Sequence, residues 1–195
     1  MSLAAIILAG GQSSRMGQDK ALISVNGVPL LRHVYDAAAG CTAEIYVVTP
    51  WPQRYQTLLP RTCRLVQERP LHPDIQPQGP LVGFAQGLSQ VKADWVLLLA
   101  CDLPRLRAEV LQDWANQLHT VSESAIAFVP HNAKGWDPLC GFYRRSCLPT
   151  LNAFISRGGR SFQRWLDHNE VQAIPDPDPS MLFNCNTPND LATLT

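Results

Sequence analysis

This 195-residue chain has few charged residues: Asp, Glu, Lys and Arg together make up only 16% of it. Intrinsic disorder is excluded, because disordered chains combine high charge with low hydrophobicity and 46% of these residues are hydrophobic. The 16 basic and 16 acidic residues balance to a net charge of zero. A non-specific nucleic-acid binder would carry a basic excess, so we expect no nucleic-acid partner. A small phosphorylated ligand remains compatible with this balance, because a few local positive groups suffice to bind it.

Long apolar runs and paired cysteines are also missing. The most apolar run, residues 95–101, has the length of a strand and cannot span a bilayer, so we expect no membrane partner. Residues 1–8 are apolar, but they lack a basic segment and lead into glycines, which predicts a first strand and no signal peptide. The 6 cysteines are dispersed without a CxxC pair, which argues against a zinc site or a redox motif. Reduced thiols in a neutral chain favour a cytoplasmic protein.

Short apolar runs that alternate with helical patterns are present, and they indicate a parallel sheet with right-handed crossovers. The patterns predict strands at residues 3–8, 44–49, 64–67, 94–101, 125–129, 138–143 and 170–174, and helices at 28–39, 80–91, 108–118, 147–155, 162–166 and 188–194. Residues 175–179 contain three prolines and must form a loop, because proline blocks helix and ladder hydrogen bonds. We predict an α/β fold in which residues 1–195 form a single three-layer domain. Its sheet is mostly parallel but mixed, and its N-terminal half is Rossmann-like and binds a nucleotide.

A glycine-rich loop follows the first predicted strand, and it reads Leu8-Ala9-Gly10-Gly11-Gln12-Ser13-Ser14-Arg15-Met16-Gly17-Gln18-Asp19-Lys20. Its glycines let the backbone approach a ligand and offer amide groups to an anion, while Arg15 and Lys20 add positive charge. This combination suits a polyphosphate. A Walker loop is excluded because no Lys-Ser or Lys-Thr pair follows Gly17, and Gly10-Gly11 does not fit the Rossmann GxGxxG fingerprint. The alternative is a strand-to-helix turn with two solvated charges.

Asp102 follows the most apolar predicted strand. In open α/β sheets, ligands bind outside the carboxyl ends of the strands. A single carboxylate there can hold Mg²⁺, which prefers oxygen ligands and completes its shell with water and substrate phosphates. The alternative is that Asp102 caps a helix that begins near Leu103 and Pro104.

The loop resembles the LAGGxSxRMGxDK signature of the molybdenum cofactor guanylyltransferases, part of a wider family of nucleoside-triphosphate-dependent nucleotidyltransferases. The resemblance extends over nearly the whole chain and is also strong at residues 79–83, 101–104 and 184–190. It implies a site for GTP and Mg²⁺. The nucleotide contacts that it implies are the backbone of Leu8, Ala9, Gly10 and Gly11, the side chain of Lys20 at a phosphate, and Asp102 as the ligand of Mg²⁺ and a nucleotide contact.

The segment Gly79-Pro80-Leu81-Val82-Gly83 resembles the GPLxG element of the family, which implies that Gly79 and Pro80 lie at the nucleotide. The alternative is that this segment is the first turn of a helix and contacts no ligand. Guanine presents two N–H donors beside an acceptor, so a selective pocket needs an acceptor such as a carboxylate. Family members commonly carry an acid after the third strand and a polar residue such as Asn after the second. The corresponding regions of this chain depart from that pattern and hold Thr49 and Glu68-Arg69, and Asp74 could supply the acidic contact.

The segment Asn184-Cys185-Asn186-Thr187-Pro188-Asn189-Asp190 resembles the NxNTPxEL segment of the family. On an extended strand Asn184 and Asn186 would point the same way, toward a phosphate or the metal shell. Thr187 also fits a helix N-cap, and both interpretations can hold together. The resemblance places Asp137 in a loop that faces the second substrate. The cations of Arg157-Gly158-Gly159-Arg160 would bind a phosphate or lie in a solvated turn.

The resemblance implies transfer of GMP from GTP to the terminal phosphate of the molybdopterin cofactor, with release of pyrophosphate. Arg15, Lys20 and Asp102 would be the catalytic residues, and the attacking phosphate needs no general base because it is already a nucleophile. The implied partners are GTP, the molybdopterin cofactor, and molybdoenzymes or cofactor-insertion proteins. The alternatives are a cytidylyltransferase for the same cofactor, another NTP-dependent nucleotidyltransferase, and a non-catalytic nucleotide-binding regulatory module.

Overall fold

The structure, a computed structural model that describes residues 1–11, 18–71 and 79–193, is built around one large mixed β-sheet. The strands are β1 (Leu3–Leu8), β2 (Ser24–Val25), β3 (Val28–Pro29), β4 (Ile45–Thr49), β5 (Arg64–Gln67), β6 (Trp95–Ala100), β7 (Ala127–Asn132), β8 (Gly135–Trp136), β9 (Cys140–Arg144) and β10 (Val171–Ile174). The helices are α1 (Leu30–Ala39), α2 (Pro80–Leu88), α3 (Ala108–Asn116), α4 (Leu148–Ser156), α5 (Phe162–Asp167) and α6 (Pro188–Ala192).

The strand order of the large sheet is β10-β7-β9-β6-β1-β4-β5, and β8 pairs with β7. Strand β1 is parallel to both β4 and β6, and β4 is parallel to β5. Strand β9 is antiparallel to β6 and to β7, whereas β7 is parallel to β10. The carboxyl ends of β5, β4, β1 and β6 therefore share one edge of the sheet, where β9 begins. The predicted mostly parallel, mixed sheet is confirmed.

Helices cover both faces of this sheet and bury its strands. Ala5 and Ile7 of β1 pack with α1 and α3 on one face, and Ala4 and Ile6 pack with α2, α4 and α5 on the other. Strand β6 is buried along its whole length, as expected for a parallel strand with helices on both sides. The predicted three-layer α/β architecture is confirmed. Among the described residues, no helix combines the length and the apolar character that a membrane span requires.

A small hairpin corrects the predicted helix at residues 28–39, which begins only at Leu30. Strands β2 and β3 pair antiparallel across Asn26 and Gly27, whose φ angles are 51° and 79°. An Asn-Gly pair favours this kind of turn, because both residues tolerate positive φ. Two-residue strands are too short to show an alternating pattern, which is why the sequence analysis missed the hairpin. It matters for the site because it follows directly after the turn that carries Lys20.

Candidate active site

Residues from four strands meet at the edge where β1, β4, β5 and β6 end. Backbone hydrogen bonds continue the parallel pairing past the strand ends: Ala9 N to Val48 O at 2.9 Å, Cys101 N to Leu8 O at 3.1 Å, and Glu68 N to Thr49 O at 2.8 Å. These bonds fix Gly10, Glu68 and Asp102 along one edge. The predicted nucleotide contacts at residues 8–10 therefore lie where open α/β sheets bind their ligands.

Lys20 reaches this edge from a short 3₁₀ turn, Lys20–Leu22, whose cap is Asp19. The ammonium nitrogen of Lys20 donates a hydrogen bond to Asn186 Oδ1 at 2.6 Å and lies 3.4 Å from Asp102 Oδ2. Asp102 is 82 residues away from Lys20 in the chain, and Asn186 is 166 residues away. The fold thus brings together one cation, one carboxylate and one amide, all of which the sequence analysis named as site residues.

Asp102 is a largely buried carboxylate, with 18% of its side chain exposed. Burial raises its pKa above the usual range for aspartate, and the nearby Lys20 ammonium acts in the opposite direction. Helix α3 begins at Ala108 with Arg107 in the cap position, which excludes the alternative that Asp102 caps this helix. The carbonyl oxygen of Asp102 accepts a hydrogen bond from Cys185 N at 2.9 Å. This bond holds the C-terminal segment so that Asn186 reaches Lys20.

The oxygen atoms around Lys20 suit a hard divalent cation. Asp102 offers a carboxylate oxygen and Asn186 an amide oxygen, and both face the same ammonium group. Within residues 1–11, 18–71 and 79–193, no three His, Cys, Asp or Glu side chains form a group that could hold a metal ion. Mg²⁺ tolerates few protein ligands because water and substrate phosphates usually complete its shell. The donor set therefore fits Mg²⁺ that arrives with a nucleotide.

Glu68 is the acid that the structure adds to this edge. A Cβ atom at Gly10 would lie 2.5 Å from Glu68 Oε2, and one at Gly83 would lie 3.4 Å from Glu68 Cδ. The two glycines therefore make room for the carboxylate. Burial raises the pKa of Glu68 above the usual range for glutamate. The sequence analysis located Glu68 in the region of the family's acid but named Asp74 as the candidate acidic contact. The signal for Glu68 is the one used for Asp102, an acid directly after a parallel strand.

The two positions that depart from the family pattern have structural roles. Thr49 is completely buried, and its hydroxyl oxygen accepts a hydrogen bond from Trp51 N at 3.1 Å. The backbone of Arg69 is held by the Gln86 side chain, through hydrogen bonds of 2.8 Å and 2.7 Å. Of the described residues that were weighed for base recognition, Glu68 is thus the one whose side chain lies against Gly10 and Gly83.

Gly79 and Pro80 begin helix α2 beside this carboxylate. Gly79 is the N-cap residue with φ 76°, a backbone conformation that favours glycine, and Pro80 takes an initial helix position. Gly83 lies in the first turn of the same helix, next to Glu68. The start of α2 therefore shares the edge with Gly10, and the predicted helix start at Pro80 is confirmed.

The predicted second-substrate residues separate into two groups. The amide of Ala100 donates to Leu139 O at 2.9 Å and that of Asp137 to Pro130 O at 2.9 Å, which places Asp137 just before β9 at the same edge as Asp102. The Asn132 side chain donates to the Asp137 carboxylate. Burial raises the pKa of Asp137. Asp137 and Asn186 are therefore both at the sheet edge that carries the site.

Asn184 is different, and the expectation of an extended strand here is wrong. Residues 183–186 form irregular backbone, and Asn184 is exposed, with its amide donating to Leu182 O at 3.5 Å. The side chains of Asn184 and Asn186 thus have different partners, because the turn at residues 179–182 and the Cys185 contact set the local path. Thr187 does cap α6, in a reciprocal pair with Asp190, so the predicted cap is confirmed.

The segment with Arg157 and Arg160 has the geometry of a helix end. Gly158 has φ 86°, and the guanidinium of Arg160 donates to Ile155 O at 2.9 Å and to Gly159 O at 2.7 Å. These bonds satisfy one carbonyl group in the last turn of α4 and one in the segment just after it, which favours the turn over a phosphate site. Arg15, Gly17 and Asp74 lie outside the described residues.

A family model for the MobA-like NTP transferase domain matches residues 5–172 of the chain. The chain is 62% identical over 193 residues to a Nostoc protein named "Probable molybdenum cofactor guanylyltransferase". This alignment covers 99% of this chain and 90% of that protein. It is 46% identical over 195 residues to a Synechococcus elongatus protein of the same name, with 100% and 98% covered. It is 35% identical over 190 residues to the molybdenum cofactor guanylyltransferase of Vibrio cholerae, and this alignment covers 96% of this chain and 88% of that protein.

Solved structures share the fold at low sequence identity. Molybdopterin-guanine dinucleotide biosynthesis protein A from Archaeoglobus fulgidus superposes with a TM-score of 0.78 at 22% identity, over 98% of this chain and 96% of that one. A 4-diphosphocytidyl-2C-methyl-D-erythritol synthase from Anaerococcus prevotii superposes with a TM-score of 0.71 at 12% identity, over 99% of this chain and 94% of that one. From the family match and the high identity to its relatives, the chain belongs to the MobA-like NTP transferase family, among the molybdenum cofactor guanylyltransferases.

Proposed function

We propose that the chain transfers GMP from GTP to the terminal phosphate of the molybdopterin cofactor and releases pyrophosphate. The observation that carries the proposal is the meeting of Lys20, Asp102 and Asn186 at the carboxyl edge of β1 and β6. This edge is where α/β folds bind nucleotides, and an ammonium group, a carboxylate and a neutral amide oxygen together suit a metal-bound triphosphate. The names of the close relatives supply the acceptor and the base.

The reaction is a direct displacement at the α-phosphorus of GTP. An oxygen of the acceptor phosphate forms the new bond to phosphorus, the bond to the bridging oxygen breaks, and pyrophosphate leaves with the electron pair. The acceptor phosphate carries negative charge near neutral pH, so the step needs no protein base. The chain's task is therefore to align the two phosphates and to stabilise charge on the leaving group.

Lys20 and Asp102 divide this electrostatic work. The Lys20 ammonium would exchange its contact with Asp102 for oxygens of the distal phosphates. Asp102 and Asn186 would then direct their oxygens to Mg²⁺. When bound, the ion would supply positive charge that offsets the negative charge of the phosphates. The turn that begins at Lys20 and the end of β6 are held by backbone hydrogen bonds, which would position both charged groups before the nucleotide binds.

Glu68 would recognise guanine. Its carboxylate has two acceptor oxygens, which match the N1–H and the exocyclic amino group of guanine. Cytosine and adenine present a ring-nitrogen acceptor beside their amino group, so a carboxylate in the same place would face a lone pair. Gly10 and Gly83 leave the space that this carboxylate needs. Asp137, at the same edge beyond Asp102, would contact the second substrate.

Pyrophosphate release by the purified chain with Mg²⁺, GTP and molybdopterin tests the proposal. We expect release only when both substrates are present, and none when a sugar phosphate replaces molybdopterin. Release with CTP instead of GTP would assign the sister cytidylyltransferase activity. Release with a sugar phosphate would assign another nucleotidyltransferase, and GTP binding without release would assign a regulatory module.

A further inference from the structure

Asp19 is held by a partly buried hydrogen-bond network outside the groups that we assign to catalysis. Its Oδ1 accepts from Ala21 N at 3.1 Å and so caps the turn that begins with Lys20. Its Oδ2 accepts from the Tyr55 hydroxyl at 2.8 Å and lies 3.4 Å from Arg54 Nη1. The Asp19 side chain is only 16% exposed. One carboxylate therefore links the Lys20 turn to the segment that follows strand β4.

Tyr55 and Arg54 both contact Asp19 from outside the Lys20 turn, and Tyr55 makes the stronger contact. Its side chain is completely buried, whereas Arg54 is about half exposed and stacks over Trp51 at 4.3 Å. A hydrogen bond to a charged acceptor is strong when it is shielded from water, and an exposed ion pair contributes little. Burial and the Asp19 carboxylate raise the pKa of Tyr55 far above the usual range, so the phenol stays a neutral donor.

The network ends at the residue next to Lys20. Lys20 has to cross to Asn186 at 2.6 Å and Asp102 at 3.4 Å, so small rotations of its turn would move the ammonium group away from both. Tyr55 packs in the main hydrophobic core, which makes its hydroxyl a fixed reference point. Phenylalanine would fill the same core position, so packing alone does not require the hydroxyl.

We propose that Tyr55 is a positioning residue whose hydroxyl fixes Asp19 and thereby sets Lys20 for binding the distal phosphates of the nucleotide. This inference rests on the proposed function in that GTP is taken as the ligand. Because Tyr55 is completely buried and bonds to Asp19, its effect on the nucleotide would pass through Lys20. The contribution of the hydroxyl is therefore confined to nucleotides that carry the phosphates that Lys20 contacts.

A double-mutant cycle between Tyr55→Phe and Lys20→Ala tests this inference by calorimetry with GTP and with GMP, in the presence of Mg²⁺. We expect Tyr55→Phe to weaken GTP binding by about tenfold, as for loss of a hydrogen bond to a charged group, and to leave GMP binding unchanged. In the Lys20→Ala background the same substitution should have no further effect on GTP binding. Tyr46→Phe is the matched control: this buried tyrosine also donates from its hydroxyl, to Glu44 at 2.7 Å, but outside the network.

An equal loss of GTP affinity in both backgrounds, or an equal loss for GTP and GMP, would overturn the inference. If Tyr55→Phe does not fold, Asp19→Asn replaces it in the cycle, since it keeps the size of the side chain and removes the charge that strengthens the Tyr55 bond. Coupling to Lys20 is expected again, and an additive loss would overturn the inference. Failure of the unmodified chain to bind GTP would instead contradict the proposed function.

Discussion

Lys20 and Asn186, which are 166 residues apart in the chain, share a hydrogen bond of 2.6 Å between Nζ and Oδ1. The same nitrogen lies 3.4 Å from Asp102 Oδ2. A triphosphate that binds here must compete with the carboxylate and the amide for the ammonium group. Metal-bound phosphates can win this competition because they carry more charge than Asp102 alone.

Replacement of Lys20 by alanine should weaken GTP binding more than GMP binding. The lost ammonium faces the distal phosphates, which GMP does not have. Loss of a charged hydrogen bond predicts about a tenfold to hundredfold lower affinity for GTP. Calorimetry with both nucleotides measures the difference, with Lys92→Ala as an exposed-lysine control. An equal loss for GTP and GMP would indicate general damage to the loop and contradict the assigned role.

Replacement of Asp102 by asparagine should abolish most of the turnover and leave the fold intact. Asparagine keeps the shape and the backbone contact with Cys185, but it removes the charge that would hold Mg²⁺. We expect nucleotidyl transfer to fall on the order of a thousandfold or more, since metal charge stabilisation contributes several kcal/mol. The melting temperature should stay close to that of the unmodified chain. A variant that keeps its turnover would show that Asp102 is not the metal ligand.

The pH dependence of GMP binding should report Glu68. Burial raises its pKa, and guanine recognition requires the carboxylate form. Binding should therefore be complete above this raised pKa and weaken as the pH falls through it, at a higher pH than for an ordinary glutamate. Glu68→Gln should bind GMP more weakly, discriminate less between guanine and cytosine nucleotides, and lack this acidic limb. Because the phosphate of GMP titrates equally in both proteins, the difference between their pH profiles isolates Glu68. Identical profiles would exclude Glu68 from the base site.

Alanine at Gly10 should be harmful, and alanine at the neighbouring Gly11 should be tolerated. A Cβ atom at Gly10 would lie 2.5 Å from Glu68 Oε2 and 3.2 Å from Pro50, whereas one at Gly11 has nothing within 4 Å among the described residues. Overpacking predicts a loss of about 1 kcal/mol in the free energy of unfolding for Gly10→Ala, at the low end of the usual range because the Glu68 carboxylate can rotate away while the Pro50 ring cannot. For Gly11→Ala we expect a change within about 0.5 kcal/mol. Denaturant unfolding of the pair measures this contrast, and equal effects would contradict the observed packing.

The sequence was informative wherever function depends on a local pattern. The continuous apolar run of β6 predicts a buried parallel strand, and from that the position of Asp102 follows directly. The cationic glycine loop likewise identifies Lys20 without any knowledge of the fold. Strand Arg64–Gln67 was predicted with its observed bounds, because its centre holds the apolar pair Leu65-Val66 and prolines at positions 60 and 70 limit the segment on both sides.

Contacts that depend on strand order could not be predicted in the same way. Glu68 meets Gly10 only because β1, β4 and β5 are neighbours in the sheet, and local patterns do not specify that order. The bond between Asp19 and Tyr55 joins two loops that are 36 residues apart. Asn184 was assigned to the site from spacing on an assumed strand, but the Cys185 contact with Asp102 directs the chain so that only Asn186 reaches Lys20.

A competition reaction tests the central claim most directly. The purified chain is incubated with Mg²⁺, molybdopterin and an equimolar mixture of GTP, CTP, ATP and UTP, and the dinucleotide product is identified by mass spectrometry. The proposed function predicts that the guanine dinucleotide form of the cofactor is the main product, and that the Asp102→Asn variant forms little of it. Formation of the cytosine dinucleotide as the main product, or of no dinucleotide at all, would contradict the assignment of this chain as a GTP-dependent guanylyltransferase.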